Sequence, residues 1–249
     1  MTDNKKMKPI VFCNIGWCND YLGDEDLAGG GSYVQENGHG NEDMNFLPIT
    51  VTEEDSEEQR TMFFGSFETK HNRGSQNQTH IEKIRGCGSL RKENYADGVT
   101  VVWCAKNPEG KTCVVGWYEN ATVCRFYEIL PMDAEDGSEW ERWYNVAALY
   151  EDATLLPVEI RKQPQWSIPR HSSNNPVSFG FGQANIWYAS EPAAEEFVKR
   201  KGADILREQA PVGNRAVALT EDAKKALQNV KEQLAKTQKD INSDFINND

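Results

Sequence analysis

The sequence predicts an α+β protein: a strand-rich body, built as a partly open barrel or meander sheet with flanking helices, followed by a C-terminal helical tail. Three observations lead there. Short β-branched and aromatic runs, bounded by Gly, Pro, Asn and Asp, recur between residues 10 and 190. Helical periodicity appears only after residue 190. The chain has 249 residues, 38% hydrophobic and 27% charged, enough to bury a core without disulfide staples.

The elements follow in order. Residues 10–15 read as a short buried strand, and residues 23–40, with Gly29-Gly30-Gly31 and Asn37-Gly38, as a loop. Strands are expected at 46–51, 62–67 and 81–84, with a polar connector over 53–60. The clearest stretch is 98–127. Strand 99–104 meets a turn at Asn107-Pro108-Glu109-Gly110, where Pro presets φ and Gly accepts a positive one. Strand 112–118 returns, Glu119-Asn120 predicts a second reversal, and 122–127 completes a three-strand meander. Further strands are expected at 145–150 and 186–189, with a Pro/Ser/Asn-rich surface loop over 163–183. Ser190 is the expected N-cap of a helix over 191–206. Residues 210–218 read as a linker. Thr220 then caps a helix to about Ile241, whose Ala223, Leu227, Val230, Leu234 and Ile241 follow heptad spacing with Thr237 as a polar exception. The division is therefore a strand-rich domain at 1–209 and a linker plus amphipathic helix at 210–249, with residues 220–241 as a docked helix or a homodimer contact.

Composition narrows the function classes. No apolar run approaches the roughly 20 residues of a membrane helix, and no signal-peptide core follows the polar N-terminus, so a cytoplasmic protein without membrane contact is expected. The six cysteines form no C-x-x-C pair and sit mostly in apolar runs, which favours buried free thiols over disulfides or zinc. A net charge of −12 argues against broad phosphate-driven DNA binding. The charge is uneven: seven acids and no base fall in 42–58 and five acids in 132–141, both read as solvated loops. Between them lie Lys70, Arg73, Lys83, Arg85, Arg91 and Lys92, and later Arg161, Lys162 and Arg170 around Trp166, with His171 after them. Lys83, Arg85, Arg91, Arg161 and Arg170 are the candidates for nucleic-acid backbone contact, with ordinary surface charge as the competing reading.

Catalytic motifs do not assemble. Gly110-Lys111-Thr112 ends like a P-loop, but Ala105 stands where its first Gly belongs and a strand follows. Glu36, His39, Glu42 and Asp43 are the densest set of metal-type ligands, and support a metal-dependent hydrolase as an alternative to a polar loop. No Gly-x-Ser-x-Gly elbow is present, and no catalytic residue, metal or cofactor is assigned.

Aromatic placement carries the sharper hypothesis. Trp17 follows the first strand, Trp103 and Trp117 lie on adjacent strands, and Trp187 lies in the last. Gly16, Gly116 and Asn185 stand close to three of them; Trp103, between Val102 and Cys104, looks most like core. Strand tryptophans pack cores. The alternative is an aromatic cage in which indole faces hold a flat base or a methylated group, while Asn14, Asn45, Asn120 and Thr122 read its edge.

These residues also carry a resemblance. The runs Val11-Phe12-Cys13-Asn14-Ile15-Gly16-Trp17, Gly29-Gly30-Gly31-Ser32-Tyr33-Val34, Glu36-Asn37-Gly38 and Asn45-Phe46 come first. Gly98-Val99-Thr100-Val101-Val102-Trp103, Val115-Gly116-Trp117-Tyr118-Glu119-Asn120-Ala121-Thr122 and Gly182-Gln183-Ala184-Asn185-Ile186-Trp187-Tyr188-Ala189 follow. Together they resemble a bacterial domain that forms N-terminal modules of restriction-type and other defence-associated proteins, over roughly residues 10–190. The layout is similar to the PUA-like superfamily of EVE, YTH and ASCH domains. The resemblance implies a sensor of DNA or RNA, including modified bases, with Tyr33 added to the ligand-binding set. Nothing after Leu219 looks like a nuclease. That implies binding without cutting, or a separate effector protein. A protein-interaction or small-ligand module is the alternative of a different class.

Overall fold

The computed structural model describes residues 8–23, 41–52, 58–69, 78–133, 139–171 and 179–208. Contacts divide the chain into two units, Met1–Arg200 and Lys201–Asp249. Among its described residues the first holds a mixed, open sheet of eight strands. These are β1 (Ile10–Ile15), β2 (Ile49–Thr52), β3 (Gln59–Gly65), β4 (Tyr95–Lys106), β5 (Thr112–Asp133), β6 (Glu139–Leu149), β7 (Ala153–Leu155) and β8 (Ile186–Trp187). Their order is β2-β3-β6-β5-β4-β1-β8, with β7 added on β5. Only β1 and β4 run parallel; the remaining pairs are antiparallel. The α+β, strand-rich expectation is met, and the sheet stays open between β2 and β8.

The centre of the sheet explains its sequence. Val11, Phe12 and Cys13 on β1, and Val101 to Ala105 on β4, have no exposed surface. Both faces are covered, and such strands read as continuous apolar runs rather than alternations. One face packs Val11, Cys13, Ile15, Trp103 and Tyr118 with Phe46, Phe63, Phe67 and Ile81. On the other, Phe12 stacks on Trp187 at 4.9 Å and meets Phe197 at 6.1 Å, and Trp117 stacks on Trp166 at 5.6 Å. Phe197 belongs to α2 (Glu195–Glu208). A shorter helix, α1 (Val158–Arg161), follows β7.

Several expected elements are corrected. Residues 81–84 form no strand: Ile81–Lys83 is a 3₁₀ turn that buries Ile81. The turn at Asn107–Gly110 forms, with Gly110 at φ +84° and its amide on the Asn107 carbonyl at 2.8 Å. The second reversal does not. Asn120 takes φ +48°, yet β5 runs on to Asp133 because Ala121 and Val123 still pair with β4 while Thr122 and Val123 pair with β6. The meander is thus a hairpin with one long, bent strand. Met132 and Asp133 pair with Trp140 and Glu139, so part of the expected acidic loop is ladder. Within 163–183, a 3₁₀ turn at Pro164–Trp166 sinks Trp166 fully into the core instead of leaving a surface loop. Ser190 is not the N-cap: a 3₁₀ turn at Pro192–Ala194 leads into α2. All six cysteines are free and buried, as expected. The Gly-rich loop and the helix expected at 220–241 lie outside the described residues.

Candidate functional site

The four tryptophans do not share a pocket. Trp103 pairs with Gly116, whose neighbour is Trp117. Alternation therefore sends the two indoles to opposite faces of the sheet. Both are wholly buried, and the Gly65 backbone lies against the Trp103 ring. Trp17 is buried, with the Arg161 guanidinium over its ring at 5.2 Å. Trp187 is buried too, between Phe12 at 4.9 Å and Phe179 at 6.2 Å, both near-parallel to it. A cage of four indoles is replaced by core packing for Trp103 and Trp117, because neither ring has a face left for a ligand.

The expected base-reading side chains are also spent separately. Asn45 is fully buried, and its amide holds both the carbonyl and the amide of Ser66, at 2.9 and 2.8 Å. Asn120 donates to Asp152 at 3.1 Å and the Thr122 hydroxyl donates to Asp97 at 2.6 Å, both at exposed positions. Tyr33 lies outside the described residues. Asn14 alone meets other polar groups of interest: its Oδ1 accepts from Arg170 at 3.0 Å, and its amide faces Asn185 Oδ1 at 3.4 Å.

Three buried arginines act as staples. Arg161 gives its guanidinium to the carbonyls of Leu156, Cys18 and Asn19, at 2.7, 2.7 and 2.5 Å, so it cannot meet a phosphate. Arg125 holds the carbonyls of Glu93, Leu90 and Arg91 and pairs with Glu82 at 2.8 Å. Arg142 binds the carbonyls of Met44 and Phe64, and burial pushes its pKa down to about 10. Sequence alone offers no sign separating these from surface arginines, since each stands in an amphipathic strand or beside polar neighbours.

Glu42, first weighed as a metal ligand, ties chain segments together. Its two oxygens accept the amides of Gly16 at 2.8 Å and Glu68 at 3.2 Å. Burial raises its pKa to about 7 against the opposing pull of those two amides. Its expected companions Glu36 and His39 lie outside the described residues, and no cluster of three His, Cys, Asp or Glu suited to a metal occurs among the described ones.

What the fold does assemble lies at the β8 edge. A cleft of about 460 Å³ is lined by His171, Phe179, Gly180, Gly182, Ile186, Trp187, Tyr188, Ala189, Ser190 and Glu191. Its walls are shaped by unusual backbone. Gly180 takes φ +122°, where a β-carbon would stand 2.4 Å from the Pro169 carbonyl oxygen. Ala189 sits at φ +48°, a left-handed conformation that costs a residue with a β-carbon about 1 kcal/mol. Glu191 accepts the Trp187 indole N–H with both oxygens at 3.1 Å, which fixes the indole edge in the floor.

Cations from both basic segments contact residues of the 181–189 segment. Lys83 Nζ lies 5.9 Å above the Tyr188 ring, Arg85 donates to the Ala189 carbonyl at 3.4 Å, and Arg170 lies 5.8 Å from the Phe181 ring while bonding Asn14. Among the described residues none of these three cations has a carboxylate within ion-pair distance, whereas Lys111, Lys162, Arg125 and Lys199 each have one. Glu195 senses Arg85, but Lys199 engages it at 2.9 Å. Arg91 is exposed, and its carbonyl accepts from Arg125. No helix among the described residues is long and apolar enough to cross a membrane. Compared with protein-family models, curated proteins and solved structures, the chain matches none.

Proposed function

We propose that the chain is a nucleic-acid-binding module that takes an unstacked base, a modified base included, at the β8 cleft. The observation that carries this reading is that Lys83 and Arg85 contact the cleft-lining Tyr188 and Ala189, and Arg170 the nearby Phe181, with no carboxylate among the described residues in ion-pair distance of any of them. Phe179 and Tyr188 are half-buried and line the cleft. Base stacking on such rings contributes about 1–3 kcal/mol per base and tolerates any sequence. His171, Ser190 and the Asn14–Asn185 pair supply hydrogen-bonding groups at or beside the same cleft. In a chain of net charge −12, phosphate attraction has to be local, and these three cations supply a local source. Recognition without cutting leaves any cleavage to a separate effector.

Fluorescence anisotropy of labelled single-stranded oligonucleotides, with and without base modification, tests the reading. Tyr188→Ala should weaken binding, and Arg170→Ala should lower the slope of log affinity against log salt by about 0.7, one phosphate contact on a single strand. A folded wild-type protein that binds no oligonucleotide even at low salt would sink it.

A further inference from the structure

Beside the cleft, residues 79–86 run along the Tyr188–Ala189 segment. The His80 amide donates to the Tyr188 hydroxyl at 2.9 Å, and Arg85 reaches the Ala189 carbonyl. This short segment carries His80, Lys83 and Arg85 together. The His80 ring is held in an unusual way for a surface histidine. Its Nδ1 lies 3.1 Å from Glu82 Oε1, and the other Glu82 oxygen pairs with Arg125 at 2.8 Å. Arg125 is itself fixed by three backbone carbonyls. The series therefore runs from the core outward: carbonyls, guanidinium, carboxylate, imidazole. A carboxylate on Nδ1 fixes the tautomer and turns Nε2 away from it. The His80 side chain is 42% exposed, and its Nε2 makes no hydrogen bond among the described residues.

We propose that His80, oriented by Glu82 and Arg125, is a proton-gated contact for a phosphate of the strand whose base enters the β8 cleft. This rests on the reading above and sharpens its ligand class: a phosphodiester strand rather than a free base or nucleoside. When Nε2 is protonated, His80 joins Lys83 and Arg85 as a third positive donor on one segment. When it is neutral, the segment keeps two. Among the described residues, the charged and titratable groups around His80 are Glu82, which meets the ring, Arg125 from β5 acting through Glu82, the Tyr188 hydroxyl on the His80 amide, and Lys83 over the Tyr188 ring. Tyr188 stays neutral because burial, followed by a weaker opposing bond from the His80 amide, pushes its hydroxyl far above neutrality.

The test measures the salt dependence of binding of a short single-stranded oligonucleotide, and of its nucleosides, at about pH 5.5 and about pH 8, which bracket imidazole titration. The wild-type slope of log affinity against log salt should steepen by about 0.7 at the lower pH. His80→Gln should abolish that difference and leave nucleoside binding unchanged. Glu82→Gln should shift the pH at which the change occurs, which a merely structural role for Glu82 would not do. If the oligonucleotide binds with the same slope at both pH values, or if His80→Gln keeps the difference, the His80 contact is wrong while the cleft reading stands. If neither nucleosides nor oligonucleotides bind the folded protein, both readings fall.

Discussion

Gly116→Ala is the substitution whose outcome the structure constrains most tightly. A β-carbon built on Gly116 would stand 2.4 Å from the Thr154 carbonyl oxygen, 2.7 Å from Phe46 Cζ and 3.2 Å from Leu155 Cα. Comfortable carbon contacts lie near 3.5–4.0 Å, so about 1 Å must be found on two sides at once. On one side the obstacle is backbone: β7 pairs with β5 at Gly116↔Leu155 and Trp117↔Thr154. On the other, the Phe46 ring is wedged among Tyr118 at 5.3 Å, Phe63 at 5.8 Å and Tyr21 at 6.0 Å. Overpacking a filled core costs about 1–3 kcal/mol, and losing β7 adds to it; about 3 kcal/mol is expected. For a chain of this size that corresponds to roughly 6–12 °C in Tm. Urea unfolding should show a lower midpoint at unchanged slope. Gly88→Ala is the control, since a β-carbon there meets nothing within 4 Å. A Gly116→Ala protein within about 0.5 kcal/mol of wild type would refute the packing argument.

Other outcomes follow from the same geometry. Glu42 is raised from an ordinary 4.5 to about 7, so its stabilising contribution is complete below pH 4.5 and fades as pH rises through 7. The upper limit is about 3 kcal/mol, and Glu42→Gln should flatten this part of the pH–stability curve; an unchanged curve would show that Glu42 titrates normally. Asn45→Ala removes both bonds to Ser66 and leaves its buried amide and carbonyl unpaired. A loss of about 2–4 kcal/mol is expected by chemical denaturation, with oligonucleotide affinity of the folded fraction intact; a selective loss of affinity would return Asn45 to the ligand. Trp117→Ala should cost about 3–5 kcal/mol through the cavity beneath Trp166, again without a selective binding defect.

How much of this was legible depends on where each signal resides. The Asn107–Gly110 turn was readable because its residues act locally: Pro108 sets φ, and Gly110 accepts +84°. Glu119-Asn120 carries the same kind of local signal, and Asn120 does adopt a positive φ. Yet the chain goes straight on, because ladder bonds to β4 and β6 on either side outweigh one residue's preference. Gly116 stands beside Trp117 in the sequence, as a small residue at a pocket would. It is small for the opposite reason, since the Phe46 ring and the β7 backbone press onto it. Among the tryptophans only Trp103, flanked by Val102 and Cys104, carries a core signal in the sequence, and it is wholly buried. Alternation assigns Trp103 and Trp117 to opposite faces only once their register against each other is known. The three arginine staples were equally hidden, because what distinguishes them is the carbonyls they reach, up to 143 residues away in sequence.

The proposed binding of a polyanion by an acidic chain rests on the separation of staple arginines from the cations beside the cleft. Net charge describes the far field, and at −12 that field repels nucleic acid. Within a Debye length of about 8 Å at physiological salt, the local arrangement decides. Arg125, Arg142 and Arg161 are removed from that arrangement by burial and carbonyl bonds. Lys83, Arg85 and Arg170 are not: each lies against the 181–189 segment at a ring or a carbonyl, with no carboxylate of the described residues in ion-pair distance. Such positioning keeps the charge undiminished while limiting the entropy lost when a phosphate arrives. A chain built this way should bind weakly at long range, show little non-specific affinity for duplex DNA, and depend on a base entering the cleft for most of its affinity. Oligonucleotides made abasic at a single position would then lose far more affinity than a one-phosphate shortening removes. Equal losses would mean that the cations alone do the binding and the aromatic cleft is idle.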